Sequence, residues 1–232
     1  MTPSPPPPTR SDFEAASAAP DFDAANAAFA RRLDALIAGV TRVQDRHARF
    51  LNTLSMLEHM GSRRIMLTRG ADNLDQTTLK HMADESRHAF FFKRQADRFA
   101  GRSLGYVDAD MIAPAFARMY FRRLEARIAA EARNDADPSR VTYLYMSLIV
   151  EVRAIWAFAV YQAALDRAEI KLSLKSLLAE EQGHFAAMEQ GLERAGAASP
   201  ERLGRFLALE RALFARLLSG LEAAVRPEMA AA

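Results

Sequence analysis

The stretch VTYLYMSLIVEVRAIWAFAVYQAAL, residues 141–165, is the most apolar part of the chain and contains a single acid, Glu151. Its apolar residues recur at steps of three and four, which predicts one long buried helix rather than a strand. Glu151 shares a face with Leu148 and Ile155. An ionised carboxylate on a buried face is costly unless a cation or another partner compensates for it. The stretch therefore predicts a helical core with a charged group inside it.

Composition bounds the remaining possibilities. The chain has 232 residues, half of them hydrophobic, so it can bury a sizeable core as one domain. The net charge is +2 with acids and bases interleaved, and we expect no nucleic-acid partner. There is no cysteine, which excludes disulfides, iron–sulfur clusters and thiolate ligands. Any bound metal must therefore be held by oxygen and imidazole ligands.

The chain divides into a short tail and one helical domain. Residues 1–20 are rich in Pro, Ser and Ala and predict a disordered tail. Residues 21–232 predict a single all-α domain with its functional core at about residues 45–195, because no alternating strand pattern occurs. The N-terminus lacks an apolar leader, and no run reaches about 18 uncharged apolar residues. A cytoplasmic protein without a membrane span is the expectation.

Glycine and proline mark the predicted helix ends. Gly101 and Gly196 suit the positions just after a helix, and Pro200 suits a first helical turn. After the turn at residues 134–139, Ser139 is the expected cap of the long apolar helix. Helices are expected over residues 21–69 with a break, 73–100, 109–132, 139–168, 172–195 and 200–225.

Two copies of the motif Glu-x-x-His occur on separate predicted helices. They are Glu85-Ser-Arg-His88 and Glu181-Gln-Gly-His184. Residues three apart lie on the same helix face, so each motif points a carboxylate and an imidazole in one direction. In both helices that face also carries apolar residues at 4-3 spacing, which indicates a buried seam. One such motif is weak evidence, whereas two on buried faces predict a metal site.

Each motif has a single glutamate one helix upstream. Glu58 and Glu151 lie on apolar stripes, 27 to 30 residues before the motif glutamates. That interval is the length of one helix and a return turn. In two antiparallel neighbouring helices it places the single glutamate at the same height as the motif glutamate. Either glutamate could instead form an ordinary ion pair with a nearby arginine. Taken together, the predicted metal ligands are Glu58, Glu85, His88, Glu151, Glu181 and His184.

Two residues next to this set have competing interpretations. Glu180 also shares a face with His184, but its stripe is small and polar, so we prefer Glu181 as the ligand. Glu180 is kept as a residue that supports the site from outside. His81 lies one turn before Glu85, where it can orient a carboxylate or be a satisfied core histidine. Both residues are predicted only as neighbours of the ligands.

The other histidines and the aromatic residues carry weaker signals. His47 and His59 follow no matching pattern, and we predict that both lie at the surface. Trp156 and Phe158 can line an apolar substrate pocket, although core packing explains them as well. Tyr161 can be redox-active, but nothing in the sequence distinguishes it from a core tyrosine.

The order Glu, Glu-x-x-His, Glu, Glu-x-x-His resembles the ferritin-like di-iron carboxylate superfamily over residues 45–195. The resemblance implies a four-helix bundle that holds two iron ions, with manganese or a mixed pair as variants. Glu85 and Glu181 would bridge the ions, and His88 and His184 would each complete one shell. The segments SLIVEVRAIWAF and AEEQGHF are similar to the oxidase and oxygenase branch, including aldehyde-deformylating oxygenase and the tRNA-hydroxylase group.

That branch implies an oxidoreductase, a di-iron oxygenase or oxidase, as the expected function. Its partners would be dioxygen, an organic and apolar substrate, and an electron donor such as a ferredoxin; a homodimer is also possible. Two other functions remain open: a ferroxidase or peroxide-scavenging bundle, and a helical bundle without catalysis. A wide apolar channel beside the metals would favour the oxygenase, and a polar access route lined by acids would favour the ferroxidase.

Overall fold

A computed structural model describes residues 19–69 and 74–229, and within them it shows helices and no strand. The all-α prediction is confirmed there. Residues 1–18 of the predicted tail lie outside the described residues, while Ala19 and Pro20 already belong to the first helix. The helices are α1 (Ala19–Thr41), α2 (Gln44–Arg69), α3 (Gln76–Ala100), α4 (Pro114–Ala132), α5 (Pro138–Arg167), α6 (Lys175–Arg194) and α7 (Pro200–Met229).

The ends of α3 follow from local chemistry. The Asp75 side chain accepts a hydrogen bond from the Thr78 backbone N–H at 2.7 Å and caps the first turn. Gly101 ends the helix in the left-handed region with φ of 65°, as its predicted position after the helix requires. The helix that carries the first motif therefore has a defined start and stop.

Two predicted helix starts need correction. Asp137, not Ser139, caps α5, because Pro138 occupies the first helical turn and the Asp137 side chain accepts from the Arg140 backbone N–H. Helix α4 begins at Pro114 rather than near residue 109, since residues 108–110 form a separate 3-10 turn. Neither shift moves a predicted ligand off its helix.

Helices α2, α3, α5 and α6 form the four-helix core. Its most extensive packing joins α2 to α3 and α5 to α6. The Ser55 hydroxyl donates to the Ala89 carbonyl at 2.7 Å, and the Ser62 hydroxyl donates to the Met82 carbonyl at 3.1 Å. Seven residues forward in α2 thus match seven residues back in α3, so the pair is antiparallel. This register brings Glu58 of α2 and Glu85 of α3 to one level.

Helices α1, α4 and α7 cover α5 from outside the four-helix core. Arg153 of α5 joins two of them, α1 and α7: its guanidinium makes two hydrogen bonds to the Glu210 carboxylate of α7 and one to the Asn26 side chain of α1. All three residues are buried. A buried charge pair with this many hydrogen bonds keeps its charges compensated and fixes how the helices dock.

Among the described helices, α5 alone has the length and the apolar composition of a membrane span. More than half of its most apolar window is buried inside the bundle, and Glu151 at its centre is only 3% exposed. The core helix of a soluble protein has the same character, so its apolarity is weak evidence for a membrane.

Candidate metal centre

The four core helices bring the six predicted ligands into one cluster. Glu58 comes from α2, the Glu85 motif from α3, Glu151 from α5 and the Glu181 motif from α6. Their oxygen and nitrogen atoms, together with those of His81, form two groups that could each hold a metal ion. The atoms of each group lie within 4.8 Å of one another. Glu85 belongs to both groups. The groups are Glu58, Glu85, His88 and Glu181, and His81, Glu85, Glu151 and His184.

Two carboxylates face both motif histidines. Glu181 Oε1 lies 3.1 Å from His88 Nδ1, and its Oε2 lies 3.0 Å from His184 Nδ1. Glu85 Oε1 lies 3.8 Å from His88 Nδ1 and 3.9 Å from His184 Nδ1. Each carboxylate therefore stands between two imidazoles, which is the placement that bridging of two ions needs.

Two buried atoms at this centre lack a hydrogen-bond partner. They are His88 Nδ1 and Glu181 Oε1, whose mutual geometry does not make a hydrogen bond although they are 3.1 Å apart. Two ligands at about 2.1 Å from one divalent ion and at right angles to each other lie about 3 Å apart. A cation bound to both atoms would satisfy both, so the residues present fit a metal.

The electrostatics of the cluster also favour a cation. Burial, reinforced by the neighbouring carboxylates, raises the pKa of Glu58 and of Glu151 well above the usual range. Burial also opposes the charge of Glu181, but the neighbouring His184 and His88 bring its pKa down to about 2. Burial likewise disfavours the charge of His88, yet Glu181 raises the pKa of His88 to about 9. Without added positive charge, the cluster must hold protons.

The outer nitrogen of each motif histidine is held by the opposite motif. His184 Nε2 lies 3.0 Å from Asp84 Oδ2, and His88 Nε2 lies 2.7 Å from Glu180 Oε2. Asp84 and Glu180 each directly precede the motif glutamate on their own helix. In a neutral histidine, a carboxylate next to Nε2 keeps the proton on that nitrogen. The lone pair of Nδ1 is then available to a metal ion.

Arg87 joins these two outer carboxylates. Its guanidinium donates to Asp84 Oδ1 at 2.8 Å and to Glu180 Oε2 at 2.7 Å. Burial opposes the charge of Asp84, but hydrogen bonds from Lys80, His184 and Arg87 keep its pKa well below the usual range. Sequence reasoning missed Asp84. The available signal was the repeat itself, because an acid precedes the glutamate in both motifs.

His81 contacts a ligand carboxylate, which was one of the two interpretations left open, and it also belongs to the cluster itself. Its Nε2 lies 2.9 Å from Glu151 Oε1, and its Nδ1 lies 2.9 Å from the Tyr143 hydroxyl. It is 3% exposed. At the matching position four residues before Glu181, α6 carries Leu177. One ligand group therefore contains two imidazoles and the other contains one.

A glycine in α2 makes room for a ligand. A Cβ on Gly61 would lie only 2.6 Å from Glu85 Oε2. Glycine in a helix interior destabilises the helix by about 0.5–1 kcal/mol relative to alanine, so its presence here has a packing reason. Sequence reasoning did not single out Gly61, although a glycine one turn after a candidate ligand was the visible signal.

The surface prediction for His47 is wrong. His47 is 1% exposed, and its Nε2 lies 2.5 Å from the hydroxyl of the buried Tyr161. Burial lowers the pKa of His47 to about 4. A neutral imidazole satisfied by a tyrosine needs no acidic neighbour, so no charge pattern marked it in the sequence. His59 is exposed, as predicted.

An apolar cavity of about 120 Å³ adjoins the cluster. Four of its wall residues are the glutamates at positions 58, 85, 151 and 181. The rest of the wall is almost entirely apolar and comes from α1, α2, α4, α5 and α7, with side chains such as Ile37, Leu54, Phe121, Phe158 and Leu217. A small hydrophobic molecule in this cavity would lie against the carboxylates.

No protein family, curated protein or solved structure matches this chain. The case for a metal centre therefore rests on the chemistry of these residues.

Proposed function

We propose that this protein is a two-metal oxidoreductase, most simply a di-iron one, that uses dioxygen to oxidise a small apolar organic substrate. The observation that carries the proposal is the pair of ligand groups sharing Glu85, together with the unpartnered atoms His88 Nδ1 and Glu181 Oε1. Carboxylates and imidazoles without thiolates suit Fe(II), Mn(II) or one of each.

The two ions would be held unequally. Glu58 and His88 would complete the shell of one ion, and Glu151 and His184 that of the other, with Glu85 common to both groups. Glu181 belongs to the first group and would be shared through its second oxygen, which lies 3.0 Å from His184 Nδ1. We assign His81 to the second ion as an additional nitrogen ligand, since its Nε2 belongs to that group. Tyr143 would then fix the orientation of the His81 ring.

When bound, reduced iron supplies the electrons with which dioxygen can be activated. In a monooxygenase, one oxygen atom enters the substrate and the other leaves as water. That balance requires two electrons per turnover from a donor such as a ferredoxin, and two protons from the solvent. This chain's own residues would exclude bulk water and hold the substrate: the four carboxylates close one end of the cavity, and aliphatic and aromatic side chains form its sides.

The cavity favours this function over a ferroxidase. A ferroxidase must admit hydrated cations, for which a polar route lined by acids is expected. A space of about 40 Å³ beside His81 has polar residues such as Glu125 and Thr142 in its wall. The larger space of about 120 Å³ beside the four glutamates is instead bounded by apolar side chains such as Leu54, Phe121 and Phe158. Apolar walls admit dioxygen and a hydrophobic substrate but offer little to a hydrated ion.

Oxygen uptake tests the proposal. Iron-loaded protein, reduced without oxygen, should consume dioxygen when mixed with it, and apolar molecules that fit the cavity should appear as oxygenated products. The matched control is Glu193→Ala, an exposed position on α6, which should behave like the wild type. Uptake that only oxidises iron, without a product from any cavity-sized compound, would favour a ferroxidase. Failure to consume dioxygen with both ions bound would exclude both activities.

A further inference from the structure

The wall of the apolar cavity includes a buried guanidinium with an unused donor. Among the described residues that line the cavity, two buried side-chain atoms have no hydrogen-bond partner: Glu181 Oε1 and Arg153 Nη1. The first belongs to the candidate metal centre. Arg153 Nη1 has no role in that centre. Arg153 is only 5% exposed. A buried donor without a partner is unfavourable, so a ligand that supplies an acceptor would be favoured there.

The other polar groups of the wall are already paired. The Tyr120 hydroxyl donates to Glu210 Oε1 at 2.8 Å, and the Tyr161 hydroxyl is bonded to His47. Arg153 uses Nε and Nη2 for the Glu210 carboxylate. Outside the carboxylate end, Arg153 Nη1 is therefore the one buried side-chain atom of the wall, among the described residues, that has no hydrogen-bond partner.

The charge of Arg153 is also already compensated. Glu210 is fully buried and takes two hydrogen bonds from the guanidinium, while the rings of Phe22, Trp156 and Phe214 lie 4.0 to 4.9 Å from its central carbon. An anionic ligand would place another carboxylate beside Glu210 in an apolar environment, which is costly. An uncharged acceptor such as a carbonyl or ether oxygen matches the free N–H groups without that cost.

The size of the space limits the rest of the ligand. An apolar cavity of about 150 Å³ accommodates benzene, and the cavity here measures about 120 Å³. It therefore suits a single small ring or a chain of a few carbons rather than a long acyl chain.

We propose that the cavity binds a small, uncharged, apolar molecule with one hydrogen-bond acceptor. Arg153 Nη1 donates to that acceptor, and the hydrocarbon part of the molecule faces the carboxylates. The inference rests on the proposed function in taking the carboxylate end as the reacting end. It makes Arg153 a substrate-orienting residue and directs oxidation to carbon away from the acceptor.

Cyclohexanone and methylenecyclohexane test this, since they have nearly the same shape and only the ketone has an acceptor. Calorimetric titrations should be made with wild-type protein and with Arg153→Met/Glu210→Gln, which removes the ion pair without leaving a lone charge and keeps an acceptor for Tyr120. The variant should lose about tenfold to a hundredfold in affinity for cyclohexanone. Its affinity for methylenecyclohexane should change less than about twofold, because that ligand offers Arg153 no acceptor. Equal changes for the two ligands would overturn the proposal.

Arg202→Met is the matched control. Arg202 also lies over aromatic rings, those of Tyr145 and Phe206, but it does not line the cavity. It should leave both affinities unchanged. Tighter binding of cyclohexanecarboxylate than of cyclohexanone to the wild type would also contradict the proposal, because it would show an anion site.

A spectroscopic readout covers the case in which the double variant does not fold. The carbonyl stretch of cyclohexanone bound to wild-type protein should move to lower frequency than in a hydrocarbon solvent, and an unmoved band would overturn the role of Arg153. Metal content, measured on the same samples, separates the two proposals. If the protein prefers the ketone but binds no metal, the inference about the ligand is supported and the proposed metal centre is contradicted. If it binds two ions but shows no preference for the ketone, the metal centre is supported and the inference about the ligand is contradicted.

Discussion

The α2–α3 half and the α5–α6 half of the centre carry the same types of candidate ligand, but the α2–α3 half has one additional histidine. Each contributes a single glutamate and an acid-Glu-x-x-His motif, and each motif's leading acid holds the histidine of the other half. Only the α3 motif has a histidine one turn earlier, His81, where α6 has Leu177. His81 reaches across to Glu151 of the other half. The difference shows that a repeated motif can build two unlike groups of candidate metal ligands.

The shared carboxylates should matter more than the terminal ones, and this is the largest expected effect. Glu181→Ala should abolish binding of both ions, because Glu181 contacts both motif histidines. Glu58→Ala should remove mainly the ion beside His88, since Glu58 belongs to that group alone. Elemental analysis of dialysed protein checks this, with the exposed Glu193→Ala as the control. If Glu58→Ala and Glu181→Ala lost the same amount of metal, the distinction between shared and terminal ligands would be wrong.

The asymmetry itself can be removed by copying α6 into α3. His81→Leu reproduces Leu177 at this position. It should lower the affinity for the ion beside Glu151 and His184 by at least about tenfold, as loss of a ligand or of its supporting contact does. A competitive metal titration should then show the two binding steps drawing closer together. His59→Leu, at an exposed position of α2, is the control. Should His81→Leu lower only the melting temperature and leave both binding steps unchanged, His81 is a core histidine.

The smallest effect is expected from filling the space between Gly61 and the Glu85 carboxylate. Gly61→Ala should weaken metal binding by about tenfold, comparable to loss of a ligand's supporting contact, because the new methyl group displaces a carboxylate oxygen 2.6 Å away. The metal-free protein should keep its stability, since alanine favours the helix and the end of a glutamate side chain can rotate. Gly204→Ala, with open space around its Cβ position, is the control. Unchanged metal affinity would show that Glu85 needs no such space.

The sequence predicts what depends on spacing along a helix. The 4-3 stripes and the interval of one helix and a turn were enough to place Glu58 with Glu85 and Glu151 with Glu181. It does not predict what depends on how helices dock. His47 becomes buried because Tyr161 of a different helix satisfies it, and Arg153 meets Glu210 from 57 positions along the chain. Such partners leave no local pattern, because neither residue signals the other at helical spacing.

The metal count of the wild-type protein tests the central claim most directly. Protein produced in iron-supplemented medium and purified without chelators should contain close to two metal ions per chain by elemental analysis. The double variant Glu85→Ala/Glu181→Ala, which lacks both shared carboxylates, should contain none. Wild-type protein with well under one ion per chain, even after anaerobic addition of Fe(II), would contradict the account of these four glutamates and their histidines as a metal centre.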